Sequence, residues 1–246
     1  MKKSNNSTEP KIVILISANI EWRAVRKLFP DVEIETSPFG EWFLKYTNIK
    51  LGDHSGESSI PLVFFHGGWG KISAAASTQY VIDKYSPDLL INLGTCGGFE
   101  GEIETGTIIM AEKTVVYDII EQMYDYNDHI GHYTTNINLS WLESDYPLEV
   151  YRTLIVSGDK DLAAEDIKNL KSKYRAVAGD WESGAIAHTA GLNKTRLLIL
   201  RGVSDLVGEN GGEAYGNAKV FEENTSKIMG KLVESLPRWI MISNVF

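Results

Sequence analysis

Short apolar runs alternate along the chain with stretches whose apolar residues recur at helical spacing. The runs predict strands over residues 11–17, 60–66, 88–93, 106–117, 152–156, 175–178 and 196–205. The periodic stretches predict helices that begin after Ala18, after Gly70, near Ala163, at Ser183 and at Asn217. Because strands alternate with helices, we expect an α/β fold of three layers, α/β/α, with a central mixed, mostly parallel sheet covered on both faces.

Three segments fall outside this alternation. Residues 39–46 and 48–51 predict a short meander, and the polar, aromatic segment 119–147 predicts a lid, an insertion or a subunit contact. Residues 1–10 are polar and lack the apolar stretch that a secretory signal requires. We therefore expect a flexible tail over 1–10 and a single domain over 11–246.

The apolar run from Arg196 ends in three residues that carry chemistry, Arg201, Ser204 and Asp205. Ligands of open α/β sheets collect at the carboxyl ends of the strands, so this cation, hydroxyl and carboxylate predict a site. The same Ser-Asp pair is also typical of a helix N-cap, which is the alternative interpretation. Most other strand ends carry a glycine, a carboxylate or both, and this repetition favours the pocket.

Two glycine-rich segments, Gly67–Gly70 and Gly94–Gly98, follow predicted strands. We expect them to form turns that bring backbone N–H groups close to a ligand. Neither has the spacing of a dinucleotide fingerprint or a P-loop, so we expect no nucleotide cofactor. The five histidines are scattered and no Cys-x-x-Cys pair occurs, so we also expect no metal.

Composition narrows the class of protein further. The chain has 246 residues, of which 43% are apolar, and its longest apolar runs are strand-sized, so we expect no membrane span. A net charge of −9 argues against a nucleic-acid binder and favours a small-molecule partner. The single cysteine, Cys96, cannot form an internal disulfide, which fits a cytoplasmic protein.

With cofactor, metal and nucleic-acid chemistry set aside, the remaining candidate catalytic residues are carboxylates and one arginine: Glu21, Asp180, Glu182, Asp205 and Arg201. Paired carboxylates suit cleavage of a glycosidic bond, in which one acid protonates the leaving group and another activates water. Cys96 is an alternative nucleophile, but no histidine is obviously paired with it, and a lone small cysteine usually packs in a core.

Four motifs occur in the order seen in the purine nucleoside phosphorylase and nucleosidase superfamily. They are the stretches Gly68–Lys71, Ile91–Gly98, Asp180–Ala187 and Arg201–Asp205. The chain resembles that superfamily from the first strand to the last helix, and looks most like 5′-methylthioadenosine/S-adenosylhomocysteine nucleosidases. The resemblance implies a phosphorylase/hydrolase-like fold, a purine nucleoside as the partner, and a homodimer or higher homo-oligomer.

The resemblance also implies roles for single residues. Asp205, oriented by Ser204, would protonate N7 of the departing purine, while Glu182 would bind the ribose hydroxyls. Glu21 would activate the attacking water, and Arg201 would hold that water or the sugar. The other implied substrate-binding residues are Thr95, Cys96, Gly97, Leu162, Asp180, Trp181, Trp69 and Phe221, the last of which would close the pocket.

Several positions depart from the family pattern. The spacing before Glu21 is one residue shorter than the family has. Trp69 and Trp181 stand where smaller or aliphatic residues are usual, which predicts either a small 5′ pocket that disfavours S-adenosylhomocysteine or two indoles packed in the core. Asp161 falls where an aromatic residue normally stacks on the purine, which leaves adenine recognition open, although Leu162 could still contact the ring.

Three functions follow from these residues. Hydrolysis of a purine nucleoside, such as the 5′-thio-substituted methylthioadenosine, is favoured by the acidic Glu21. A phosphate-dependent phosphorylase would need a phosphate site, for which Gly94–Gly98 and Arg23 are available, but a carboxylate at Glu21 would repel phosphate. A catalytically silent nucleoside-binding sensor would explain the altered pocket residues, but the presence of Asp205, Glu182 and Arg201 together argues against it.

Overall fold

The computed structural model of the protein describes residues 12–50 and 57–245, without the side chains of Lys50 and Glu57. The predicted tail over 1–10 lies outside the described residues, as do Lys11 and residues 51–56. The division into a tail and a single domain therefore stays a prediction.

The described residues form eleven strands and six helices. The strands are β1 Ile12–Ile16, β2 Glu35–Ser37, β3 Gly40–Lys50, β4 Glu57–His66, β5 Leu89–Phe99, β6 Ile108–Val116, β7 Thr134–Asn136, β8 Tyr151–Ser157, β9 Ala178–Asp180, β10 Leu197–Gly208 and β11 Gly211–Gly212. The helices are α1 Asn19–Leu28, α2 Lys71–Tyr85, α3 Tyr126–His132, α4 Ala164–Tyr174, α5 Ser183–Leu192 and α6 Ala218–Met241.

All of these strands belong to one mixed sheet. Parallel pairs connect β4, β1, β5 and β10 in that order, and a second parallel group connects β6, β8 and β9. The two groups meet through antiparallel pairs between β10 and β6 and between β5 and β9. Strands β5, β10, β6, β8 and β9 thus form a closed ring within the sheet, which brings β5, β9 and β10 together.

Helices cover both faces of the sheet, which confirms the expected α/β/α layers. Side chains of a strand point alternately to its two faces. On β1, Ile12, Ile14 and Ile16 share one core cluster with α1 and α6, while Val13 and Leu15 share a second cluster with α2 and α5. All five are fully buried, which explains why this strand is a continuous apolar run.

The prediction of a turn at Gly94–Gly98 is wrong, because β5 continues through these glycines to Phe99. These glycines do not reverse the chain; they allow neighbouring side chains to approach the backbone of β5 closely. A Cβ on Gly94 would lie 1.9 Å from Nη1 of Arg201, and one on Gly98 would lie 2.7 Å from Cγ1 of Val203. The sequence pattern of a glycine turn and that of a crowded strand are the same, and only the neighbours distinguish them.

The prediction that Ser204 and Asp205 close a strand is also wrong, since β10 continues to Gly208. The helix N-cap interpretation does not apply either, because the next helix, α6, begins at Ala218. Opposite β5, Val203 pairs with Cys96 and Asp205 with Gly97, so that Ser204 is an extra residue at a β-bulge. A β-bulge changes the direction of the side chains beside it, and here both Ser204 and Asp205 line a cavity.

The irregular segment 119–147 contains two short elements, α3 and β7. Its second half joins the core, because Leu139, Trp141, Leu142 and Tyr146 pack against the cluster beneath α6. Its first half is exposed at Ile120, Met123 and Tyr124. Elsewhere the strand predicted over 175–178 begins only at Ala178 and extends through Asp180.

None of the described helices is both long and apolar enough to cross a bilayer.

Candidate active site

A cavity of about 430 Å³ lies where β5, β9 and β10 meet the first turns of α1, α5 and α6. Twelve of the thirteen residues that the sequence suggested for a site line this cavity, and only Arg201 does not. They are Glu21, Trp69, Thr95, Cys96, Gly97, Leu162, Asp180, Trp181, Glu182, Ser204, Asp205 and Phe221.

The cavity has two chemically different parts. We call one the Arg201 end, formed by the carboxylates that surround this arginine: Glu21, Asp180 and Glu182. We call the other the Tyr215 end, formed by Asp205, Asp161, Leu162 and Tyr215.

Arg201 is fully buried beneath the cavity, so it is not part of a surface ion pair. Its Nε lies 3.0 Å from Oδ2 of Asp180 and donates to Oγ of Ser183 at 3.0 Å. Its Nη2 donates to Oδ1 of Asn92 at 2.8 Å. Burial opposes the charged form, but the surrounding carboxylates outweigh it and raise the pKa of Arg201. The expectation that Arg201 touches water or sugar does not match this placement, which supports a positioning role.

Glu21 lies in the first turn of α1 and reaches across to β5. Its Oε1 accepts hydrogen bonds from N and Oγ1 of Thr95 at 2.6 and 2.9 Å, and its Oε2 accepts from N of Ala18 at 3.1 Å. Burial raises the pKa of Glu21, while Arg201 and these hydrogen bonds act in the opposite direction. The shortened spacing before Glu21 therefore does not keep its carboxylate out of the cavity.

Glu182 lies directly before α5 and is 5% exposed, so it is not a solvated helix residue. Its Oε1 accepts a hydrogen bond from N of Gly70 at 3.0 Å, and the left-handed φ of +83° at Gly70 allows the turn that presents this N–H. Burial, together with the like charges of Asp180 and Glu21, raises the pKa of Glu182 to about 8. This carboxyl therefore exchanges its proton near neutral pH.

Asp205 holds a proton more firmly than an ordinary aspartate does. Burial raises the pKa of its carboxyl, and the nearby carboxylates of Glu213 and Asp161 add to the effect. Oγ of Ser204 lies 2.6 Å from Oδ1 of Asp205, close enough to donate a hydrogen bond and fix its orientation. A carboxyl with a raised pKa at the wall of a cavity is suited to general acid catalysis.

Cys96 lines the cavity between its two ends, but burial raises the pKa of its thiol. Its Sγ lies 3.8 Å from the backbone oxygen of Gly202. A thiol held in its neutral form is a poor nucleophile, so the geometry favours the packing interpretation of Cys96.

Trp69 and Trp181 do not pack in the core. Trp69 is 58% exposed, and its ring centroid lies 5.6 Å from that of Trp181. Both residues line the cavity, and their chain neighbours Gly70 and Glu182 are joined by a hydrogen bond of 3.0 Å. They are therefore placed to contact a ligand, which keeps the small-pocket hypothesis open.

Sequence reasoning missed several lining residues. They are Ala18, Lys160, Gly179, Val207, Ala214, Tyr215 and Ala218. Of these, Tyr215 has the largest apolar surface, and its hydroxyl donates to the carbonyl oxygen of Leu162 at 3.0 Å. The sequence feature that could have identified Tyr215 is its position as a lone aromatic residue among the glycines at 208, 211, 212 and 216. Among the described residues, no cluster of three or more His, Cys, Asp or Glu side chains could hold a metal ion.

Comparison with known proteins adds evidence from relatives. The sequence model of the family described as "Phosphorylase superfamily" matches residues 24–236. A 5′-methylthioadenosine/S-adenosylhomocysteine nucleosidase of Buchnera aphidicola subsp. Acyrthosiphon pisum (strain APS) is 34% identical over 169 residues, which cover 64% of this chain and 70% of the relative.

Solved structures share the fold at lower identity. The 5′-methylthioadenosine nucleosidase of Arabidopsis thaliana superimposes with a TM-score of 0.71 at 22% identity, covering 97% of both chains. The futalosine hydrolase of Helicobacter pylori superimposes with a TM-score of 0.74 at 16% identity, covering 93% of this chain and 98% of the other.

Proposed function

The chain belongs to the phosphorylase superfamily and is an N-glycosidase of that superfamily, and we propose that it hydrolyses the bond between purine and ribose in a 5′-thio-substituted adenosine such as 5′-methylthioadenosine. The observation that carries this proposal is that Asp205 and Glu182 open onto the same cavity. A volume of about 430 Å³ is within the usual range for a small-molecule site.

In the proposed mechanism Asp205 donates its proton to N7 of the purine, so that the base leaves as a neutral molecule. The bond electrons move to the base, and positive charge develops on the ribose. Glu182 contacts the ribose hydroxyls, and its ionised form stabilises that charge more strongly in the transition state than in the bound substrate. Glu21 accepts a proton from the attacking water. Arg201 keeps the two glutamates in position.

Water is the better acceptor than phosphate for this cavity. A phosphate needs cations that line the site, yet Arg201 is fully buried and does not line the cavity. Lys160 lines the cavity, but its Nζ lies 2.7 Å from Oδ2 of Asp166. Arg23 is exposed and does not line the cavity. The carboxylate of Glu21 would in addition repel a phosphate dianion.

One assay separates the candidate functions. The protein is incubated with methylthioadenosine, S-adenosylhomocysteine, adenosine, inosine and futalosine, with and without inorganic phosphate, and the sugar product is identified by mass spectrometry. Hydrolysis yields the free sugar at the same rate in both buffers. A sugar 1-phosphate that requires phosphate would establish phosphorolysis, and binding without a product would establish a sensor.

The same assay tests the 5′ pocket. If Trp69 and Trp181 narrow it, methylthioadenosine should be cleaved with a higher kcat/KM than S-adenosylhomocysteine, whose 5′ substituent is longer. Comparable values for the two substrates would remove the hypothesis. Faster cleavage of futalosine than of any adenosine would reassign the base from an adenine to a 6-oxopurine.

We also propose a homo-oligomer that works in the cytoplasm. The exposed apolar side chains of Ile120, Met123 and Tyr124 form a candidate contact between subunits. Light scattering of the purified protein should give at least twice the mass of one chain, and replacement of Met123 by Asp should shift that mass toward the monomer.

A further inference from the structure

Tyr215 is a large aromatic side chain in the cavity that the mechanism above does not use. It is 46% exposed, although it lines a cavity whose other residues are mostly buried. An aromatic ring that is open to solvent at a ligand site gains free energy when a flat apolar ligand covers it.

Two contacts hold the ring of Tyr215 in place. Its hydroxyl donates to the carbonyl oxygen of Leu162 at 3.0 Å. On one side the ring packs against Gly212, where a Cβ would lie 2.9 Å from each of the three ring carbons Cε1, Cε2 and Cζ. A side chain at position 212 would therefore displace the ring. The φ of +92° at Gly211 allows the tight β10–β11 hairpin that brings Gly212 to this point.

Tyr215 lies at the same end of the cavity as Asp205, the proposed general acid. Both residues line the cavity, and the backbone N–H of Ala214, the residue before Tyr215, donates a hydrogen bond to the carboxylate of Asp205. A general acid for N7 must lie beside the base. Tyr215 is therefore on the side of the cavity that receives the purine.

The residue at position 161 cannot stack on a base, because it is an aspartate. We propose that Tyr215, from the turn that follows β11, supplies the aromatic face on which the purine stacks. This inference rests on the proposed function and adds the residue that determines affinity for the base. The carboxylate of Asp161 is then free to accept a hydrogen bond from an N–H group of the base.

The test compares Tyr215→Phe with Tyr215→Leu, because the first keeps the ring and the second keeps only apolar bulk. The dissociation constant of free adenine is measured by calorimetry, and kcat and KM are measured with methylthioadenosine. We expect Tyr215→Leu to raise the dissociation constant of adenine and the KM about tenfold, with kcat changed less than threefold, because stacking persists from bound substrate to transition state. Tyr215→Phe should remain within threefold of the wild type in all three quantities.

The matched control is Tyr151→Leu, which removes a tyrosine ring of similar exposure that does not line the cavity. It should leave the dissociation constant of adenine unchanged. Thermal unfolding of each variant verifies that it is folded, and Gly212→Ala provides the measurement if Tyr215→Leu is not folded, because its Cβ would displace the ring.

Two results would overturn the inference: adenine binding by Tyr215→Leu equal to that of the wild type, or equal losses in the Phe and Leu variants. Either result leaves the proposed function intact as long as the wild type cleaves nucleosides. A wild type that cleaves none would instead refute the proposed function itself.

Discussion

The two ends of the cavity are built in different ways. At the Arg201 end every charged group is nearly inaccessible to solvent and is tied by hydrogen bonds to β5, to α5 or to the turn before α2. The Tyr215 end is formed by β10, the turn after β11 and the loop before α4, and its tyrosine is nearly half exposed. The charged groups of the first end are therefore joined to the core by their hydrogen bonds, whereas the second end combines the buried Asp205 and Leu162 with side chains that solvent reaches.

The largest expected effect is on catalysis at the Tyr215 end. Asp205→Asn keeps the shape of the side chain but removes the proton, so kcat should fall about 10³-fold. Because Asp205 lies outside the charged network of Arg201, and because the amide avoids the cost of a buried carboxylate, the midpoint of urea unfolding should not fall below that of the wild type. A near-normal kcat would exclude Asp205 as the acid, and a large loss of stability would contradict the contrast between the two ends.

The next effect is on folding at the Arg201 end. Arg201→Met leaves buried carboxylates without their cation, so the free energy of unfolding should fall by about 3–5 kcal/mol in urea titrations. The matched control is Arg23→Met, an exposed arginine on α1, which should change it by less than about 0.5 kcal/mol. Equal effects of the two substitutions would show that the buried network does not support the fold.

Glu182→Gln should separate catalysis from binding. The amide oxygen can still accept the hydrogen bond from N of Gly70, but it cannot become negative as charge develops on the sugar. We therefore expect kcat to fall about 10²-fold with KM changed severalfold at most. An effect on KM alone would make Glu182 a residue that only binds the ground state.

The change in stability per pH unit should be smaller than these effects, and Glu182 at the Arg201 end should contribute to it. With its pKa raised to about 8, Glu182 keeps its proton in the folded protein at a pH where the unfolded chain, with a pKa near 4.5, has lost it. Its contribution is therefore fully present below pH 4.5 and is lost as the pH rises through about 8.

Unfolding in urea at a series of pH values measures this contribution. The titration of Glu182 should lower the free energy of unfolding by at most about 1.4 kcal/mol for each unit by which the pH rises. Glu21 and Asp205, whose pKa values are also raised, act in the same direction. In Glu182→Gln the slope between pH 5 and 8 should be shallower. An unchanged slope would mean that Glu182 is ionised throughout this range.

Most of the secondary structure and the charged half of the site could be predicted from the sequence. An apolar run such as Ile12–Ile16 has few alternatives to a buried strand. Asp205 and Glu182 belong to motifs that occur along the chain in the same order as in the superfamily. The errors concern Gly94–Gly98 and the end of β10, where glycine and Ser-Asp patterns fit both a turn and a crowded strand. Tyr215 was missed because it lies in a turn after β11 whose position depends on partners distant in sequence, such as Leu162.

The order of strands and helices, the three-layer architecture and the identity of the ionisable groups follow from the sequence alone, because periodicity and residue type are local properties. The three-dimensional structure was needed to show that Arg201 lies beneath the cavity instead of in it, that β5 runs straight through its glycines, and that Tyr215 lines the same cavity as Asp205. These depend on which side chains meet across β5, β9 and β10, and contacts between distant segments leave no periodic trace in the chain.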